Sequence, residues 1–271
     1  MNNSTPIFVK SKFDLHLWWI TALLIAINVG LFLWQVVVHG MDITSPTTLD
    51  ALHWGADFAP LTFLQEPQRL LSSMFFHFGL IHLMLNMWAL YIFGSIAEQM
   101  FGRLYFIGLY ILAGLMGNLL SGYLAIQDSY EMLHLGQIQP DLLPSVSAGA
   151  SGAVMGLGAS LTMLALLPAL PHQRFFLDRK TLVIVMALNI AIGFSINGIN
   201  NAAHIGGIIM GILLTLIWYI GEKVNAAKYF KLLGIILGIA LCYFFYQYDL
   251  KLLTEIQPFW QELIQVMLAD K

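Results

Sequence analysis

An all-α, polytopic bundle of membrane-spanning helices is the fold class this sequence predicts, and three observations predict it. Of 271 residues, 59% are hydrophobic and 10% charged, with a mean hydropathy of +0.77, whereas about a quarter of the residues in a soluble domain are charged. Apolar runs long enough to cross a hydrocarbon core of about 30 Å recur along the chain. Basic residues gather in alternate connections, as orientation in a membrane requires.

Span one covers 15 to 38. No small-residue cleavage site of the A-x-A type follows it soon after, so it reads as a retained span and not a removed signal peptide. The connection 39 to 70 mixes Leu52, Trp54, Phe58, Leu61, Phe63 and Leu64 with Gly55, Pro60 and Pro67. That mixture predicts a structured loop lying against the membrane interface. Spans two and three cover 71 to 96 and 104 to 126, followed by a second extramembrane segment at 127 to 147. Spans four to seven cover 148 to 168, 181 to 197, 202 to 220 and 229 to 248, with Asn189, Gly193 and Asn197 interrupting the fifth. Beyond them Leu250, Leu253, Ile256, Trp260, Leu263, Ile264 and Met267 recur at spacings of three and four. This predicts an amphipathic helix along the outer membrane surface. No internal repeat, low-complexity tract or second domain is visible.

A cytoplasmic N-terminus puts Lys10, Lys12, Arg103, Arg174, Arg179, Lys180, Lys223, Lys228 and Lys231 inside, and leaves Arg69, Lys251 and Lys271 outside. Nine of the 12 basic residues then lie inside, which predicts an N-in, C-out protein. The net charge of -3 gives no footprint for nucleic acid, and no nucleic-acid partner is expected. The lone cysteine, Cys242, excludes an internal disulfide and a cysteine-based metal cluster and reads as a small packing residue.

Polar side chains inside spans are costly and often mark function. His77 and His82 fall in the outer half of span two, Ser151 near the outer start of span four, and His204 near the outer start of span six. All four share one depth, which predicts a single polar site opening outward. A serine hydroxyl needs a base to become a nucleophile, and histidine is the usual one; His204 is the candidate base. A tetrahedral intermediate also needs hydrogen-bond donors for its oxyanion. His82 and Asn86, four apart on one helix face, are candidates. The backbone N–H of Ser151 is a third if span four turns helical only at about Gly149 or Ala150, because the first four amides of a helix lack intrahelical partners. Small residues allow the two helices to approach: Gly152, Gly156 and Ala159 on span four, Ala203, Gly207 and Gly211 on span six.

These residues resemble the rhomboid family of intramembrane serine proteases. The resemblance rests on Gly149-Ala150-Ser151-Gly152, on His77, His82 and Asn86 at spacings of five and four, and on Ala203-His204-Ile205-Gly206-Gly207 with Gly211. It spans roughly residues 10 to 250. It implies a six-helix catalytic core over 15–221 with an added C-terminal span at 222–248, between a cytoplasmic segment 1–14 and an outer-face tail 249–271. It further implies a Ser151–His204 dyad without an acidic third member, His82 and Asn86 as oxyanion donors, and His77 as a supporting residue. Gly149, Gly152 and Met155 complete the expected surroundings. The substrates implied are transmembrane segments of other proteins, cut near their outer end in the lipid bilayer, with no metal or organic cofactor. The location expected is a bacterial plasma membrane. Two positions depart from the family pattern: Gln68 stands for a tryptophan before Arg69, and Met155 for an aromatic residue four after the serine.

Other chemistries fit less well. The α/β-hydrolase elbow fails because Ala153 occupies its last glycine position and no strand precedes Ser151. No His-Glu-x-x-His run is present, and His77 and His82, five apart on a predicted helix, diverge by about 140°. A transporter or channel would place polar residues through the inner half as well, where Asn118, Thr162 and Asn189 are the few present. A catalytically dead client-binding relative would usually lack the serine or the histidine.

Overall fold

The computed structural model describes residues 15–171, 177–195 and 200–269. The expected cytoplasmic segment 1–14 lies outside them, as do Arg174, Asn197 and Lys271. The chain forms helices α1 (Trp19–His39), α2 (Thr48–His53), α3 (Ala59–Leu64), α4 (Arg69–Ser72), α5 (Leu80–Ala89), α6 (Ser95–Phe101) and α7 (Arg103–Leu135). After these come α8 (Ser151–Leu166), α9 (Arg179–Ser195), α10 (Asn201–Lys223), α11 (Ala227–Leu252) and α12 (Gln257–Ala269). A π-helical turn, Leu90–Gly94, joins α5 to α6 into one rod. Among the described residues, five helices are long and apolar enough to cross a membrane: α1, the α5–α6 rod, α7, α10 and α11. Helix α8 is apolar but only 16 residues long.

Helix α8 is the axis of the bundle. Every residue from Gly152 to Leu161 is buried, because α10 packs against it through backbone, and α7 sets the small side chain of Ala113 against Gly156. A Cβ on Gly207 would overlap the Gly152 carbonyl oxygen, and one on Gly211 would overlap that of Gly156. A second seam of the same kind joins α10 to α7, where a Cβ on Gly117 would stand 2.5 Å from the Ala203 oxygen, and one on Gly206 2.5 Å from the Met116 oxygen. In lipid, where apolar surface gives little drive for helices to associate, such contact is the main source of attraction. Buried hydroxyls reinforce it. Ser160 donates to the Gly156 and Gly211 oxygens at 2.8 and 3.1 Å, and Tyr105 to the Leu214 oxygen at 2.7 Å. Helices α1 and α11 lie at the periphery, with only 28% and 17% of their most apolar stretches buried.

A buried carboxylate, Glu98 on α6, fastens α1 to this core. It accepts the backbone N–H groups of Ile20 and Thr21 at 3.2 and 2.8 Å and the Thr21 hydroxyl at 2.8 Å. These are first-turn amides of α1 with no intrahelical acceptor, and a negative charge is favoured there.

Span two differs from its predicted limits. Its rod starts at Leu80 and runs to Phe101, so His77 lies in the segment before it and not on the same helix as His82. The cause is Gly79, whose φ of +89° breaks the helix and whose Cα hydrogen side faces the Thr44 carbonyl, where a side chain would collide. Helix α7 runs past its predicted end at 126 to Leu135, about two and a half turns, because nothing in 127 to 135 stops it before Gly136.

The connection 39 to 70 is a folded cap. A capping box between Thr47 and Asp50 starts α2. Arg69 holds the cap together: its Nη1 donates to the Leu52 and Ala56 oxygens, both at 2.8 Å, and its Nε to Glu66 at 2.9 Å. The short strand β1 (Asp57–Phe58) pairs antiparallel with β2 (Val146–Ser147), joining the cap to the segment that enters α8. Helix α12 turns Trp260 and Ile264 into the protein, as does Ile256 just before it. Ile264 packs with Leu52, Phe58 and Leu61 of the cap, and Trp260 donates from Nε1 to Ser129 on α7 at 2.8 Å. The apolar face assigned to the membrane surface is therefore largely spent on the cap and α7.

Candidate active site

The chain enters α8 through β2 and an unusual turn. Gly149 has φ +122°, donates its N–H to the Ser73 oxygen at 2.9 Å, and leaves room for the His82 ring. A Cβ there would stand 2.8 Å from His82 Cε1 and 3.0 Å from Nε2. Helix α8 begins at Ser151 itself, with Ala150 as its cap. The Ser151 amide is therefore one of the four at a helix start that the helix leaves unpaired, at the positive end of its dipole.

His204 is the fourth residue of α10, on the face that the glycine seam presses against α8. Its Nε2 lies 3.0 Å from Ser151 Oγ. The residue is 9% exposed, and its Nδ1 is buried with no hydrogen-bond partner among the described residues. Gly152 lets the Ala203 carbonyl come close, since a Cβ on it would sit 3.2 Å from that oxygen.

The first turn of α5 supplies the facing wall. The Phe78 N–H donates to His82 Nδ1 at 3.1 Å. A neutral imidazole carries one donor and one acceptor nitrogen, so this bond puts the proton on Nε2, the nitrogen turned to Gly149. One turn later Asn86, 6% exposed, donates from Nδ2 to the His82 oxygen at 3.0 Å. That nitrogen lies 3.9 Å from the point a Gly149 Cβ would occupy, and its second N–H is left for the site. His77, fully buried, sets its ring 5.2 Å from that of His82. Met155 is buried against Ala159 and Met186, across the contact of α8 with α9.

Ser151, His204, His82, Asn86, His77, Gly149 and Gly152 are thus gathered at one end of the bundle, where α5, α8 and α10 all begin. The arrangement offers a hydroxyl beside an imidazole nitrogen, and donors aimed at the point next to Gly149. Among the described residues, no group of three or more His, Cys, Asp or Glu side chains stands close enough to hold a metal.

Two contributors escaped the sequence reading. The Phe78 amide acts through backbone, for which no residue type is a signal. Ser73 receives the Gly149 N–H and is itself fixed by Asn118, which donates to the Ser73 hydroxyl at 2.9 Å and the Leu70 oxygen at 2.7 Å. Asn118 is therefore interhelical glue and not part of a polar pathway. Thr162 and Asn189 likewise bond to carbonyls of their own helices, at Gly158 and Val185.

The family model described as Rhomboid domain matches residues 64–221. Rhomboid protease GluP of Bacillus subtilis (strain 168) is 31% identical over 233 residues, covering 85% of this chain and 40% of that protein. Rhomboid protease AarA of Providencia stuartii is 26% identical over 281 residues, covering 98% of this chain and 97% of its own length. RHOMBOID-like protein 6, mitochondrial, of Arabidopsis thaliana is 32% identical over 171 residues, covering 63% and 49%. The chain therefore spans less than half of the first and third of these proteins and nearly all of the second.

Proposed function

The chain belongs to the rhomboid family of serine peptidases and is a multi-pass membrane protein, and from that membership we propose that it hydrolyses peptide bonds of other membrane proteins with Ser151 as nucleophile and His204 as general base. The observation that carries this reading is the 3.0 Å approach of His204 Nε2 to Ser151 Oγ, within the reach a general base requires.

In the proposed reaction, Ser151 Oγ forms a bond to the carbonyl carbon of the scissile peptide while its proton passes to His204 Nε2. The carbonyl oxygen becomes an oxyanion beside Gly149, where the Ser151 N–H, His82 Nε2–H and Asn86 Nδ2–H converge on it. Each such donor contributes about 3 to 4 kcal/mol in the transition state. His204 then returns the proton to the departing amine as the C–N bond breaks. Water, deprotonated by the same histidine, then attacks the acyl carbon, and the histidine returns that proton to Ser151 Oγ as the ester bond breaks. His77 supports the His82 ring, and no metal or organic cofactor has a step.

The substrates proposed are transmembrane segments, cut close to the outer leaflet. Helix α8 rises about 24 Å at 1.5 Å per residue, short of a hydrocarbon core of about 30 Å, so a helix ending at the inner face would start below the outer one. The orientation proposed is N-in, C-out in a bacterial plasma membrane, on the placement of the basic residues. The proposed layout is a cytoplasmic segment 1–14, a six-helix catalytic core 15–221, an added span 222–248 and an outer-face tail 249–271.

The test is cleavage of a single-span reporter by purified protein, wild type beside Ser151→Ala and His204→Ala, each with and without chelator. Cleavage only by the wild type, indifferent to chelator, is expected. Equal cleavage by Ser151→Ala would sink the proposal, and inhibition by chelator would redirect it to a metal.

A further inference from the structure

Asn200, the residue before α10, bonds to three separate elements. Its Oδ1 accepts the Ala203 N–H at 3.0 Å, capping the first turn of the helix that carries His204. Its Nδ2 donates to Ser121 Oγ on α7 at 2.6 Å and to Ser147 Oγ on β2 at 3.1 Å. The cap settles which way the amide points: the oxygen must face the backbone donor, so the NH₂ faces the two hydroxyls. Ser147 stands four residues before Ser151 and is paired across β2–β1 with Asp57. Ala203 immediately precedes His204. One short side chain therefore ties the lead-in to the nucleophile to the first turn of the base's helix, with α7 as a common footing.

We propose that Asn200 is a positioning residue for the Ser151–His204 pair, an inference that rests on the dyad assignment above. A helix cap alone accounts for the Oδ1 bond but not for the two bonds from Nδ2, one of which reaches the segment preceding Ser151. The glycine seam holds the bodies of α8 and α10 together from Gly152 and Gly207 onward. Ser151 and His204 lie in the first turns of those helices, and the Asn200 tie crosses the open ends that precede them, helping to keep Oγ and Nε2 in reach. A misplacement of about 1 Å between reacting groups costs on the order of a hundredfold in rate.

Four variants in the full chain separate positioning from capping: Asn200→Ala removes all three bonds, whereas Ser147→Ala and Ser121→Ala each remove one tie and keep the cap. Asn200→Asp keeps an acceptor for the Ala203 amide, and both serine hydroxyls can turn to donate to the second carboxylate oxygen. The readouts are kcat and KM on a single-span reporter, the rate of Ser151 labelling by a fluorophosphonate, and the melting temperature. Expected are a loss of about tenfold or more in kcat and in labelling for Asn200→Ala with KM nearly unchanged, and recovery to within about threefold in Asn200→Asp. Ser147→Ala should lower kcat and labelling while melting close to wild type. If Asn200→Ala fails to fold, Ser147→Ala and Asn200→Asp decide. Wild-type kcat and labelling in a folded Ser147→Ala would overturn the proposal, leaving Asn200 a structural cap. Ser151→Ala is run in parallel: cleavage by that variant would defeat the dyad assignment itself, whereas an inert Ser151→Ala beside an unaffected Ser147→Ala would defeat only this inference.

Discussion

Gly207 lies against Gly152 so closely that a methyl group on Gly207 would collide with the Gly152 carbonyl oxygen. These two residues each stand within three positions of the proposed base and nucleophile. The distance between two catalytic side chains on helices more than fifty residues apart is thus set by the absence of side chains elsewhere.

Gly207→Ala is expected to push α10 off α8, lower stability by about 1 to 3 kcal/mol as overpacking does, and abolish most activity. Gly30→Ala, on the periphery of α1 with open space where its Cβ would go, should be close to neutral in both assays. Melting temperature and reporter cleavage on the pair would check this, and an active, stable Gly207→Ala would refute the seam's role.

At Gly149 the obstacle is local. Alanine there meets the His82 ring and takes a φ of +122° that L side chains rarely adopt, so Gly149→Ala should displace His82 and cost more in kcat than in melting temperature. Asn86→Ala should lower kcat by about 10²- to 10³-fold, the range for one oxyanion donor, with KM little changed. A variant whose only defect is in KM would contradict that role.

Asp57 gives the cap a pH dependence. Burial lifts its carboxyl from 3.8 to about 6, against the pull of the Thr62 hydroxyl and Arg69; Arg69 helps little because its donors are committed to Leu52, Ala56 and Glu66. Between these values the folded chain keeps a proton that the unfolded chain has lost. The contribution of Asp57 to stability is therefore greatest below about pH 4, falls by about 3 kcal/mol as pH rises to 6, and is flat above. The wild-type melting temperature relative to Asp57→Asn, followed from pH 4 to 7, should decline over that window. An unchanging difference would count against it.

Trp260 is fully buried and hydrogen-bonded to Ser129. Trp260→Ala should cost about 3 to 5 kcal/mol and expose the cap to proteolysis between α2 and α4. Cleavage mapping of the folded variant would show this, and an undisturbed cap would indicate that α12 is dispensable for it.

The apolar helices and the residues that meet where α5, α8 and α10 begin are legible because each is written locally: apolar length, small residues at spacing four, and polar groups where hydrocarbon should be. What escaped depends on partners distant in sequence. Nothing near Gly79 says that the Thr44 carbonyl blocks a side chain there, so the sequence pattern starts span two too early and carries His77 on it. The apolar stripe of α12 was legible as a stripe, but its partners Leu52, Phe58 and Leu61 lie some two hundred residues away. Glu98 lies just past the predicted end of span two at 96, and nothing near it in sequence announces the amides of Ile20 and Thr21 that it accepts. Asn200 is an ordinary cap until Ser147 and Ser121 appear at its other end.

The most direct test of the account is reporter cleavage in reconstituted bilayers by wild type, Ser151→Ala and His204→Ala, with products identified by mass. A single cut within or beside the reporter's transmembrane segment, made by wild type and lost in both variants, is the predicted result. The same cut made at equal rate by Ser151→Ala would contradict it.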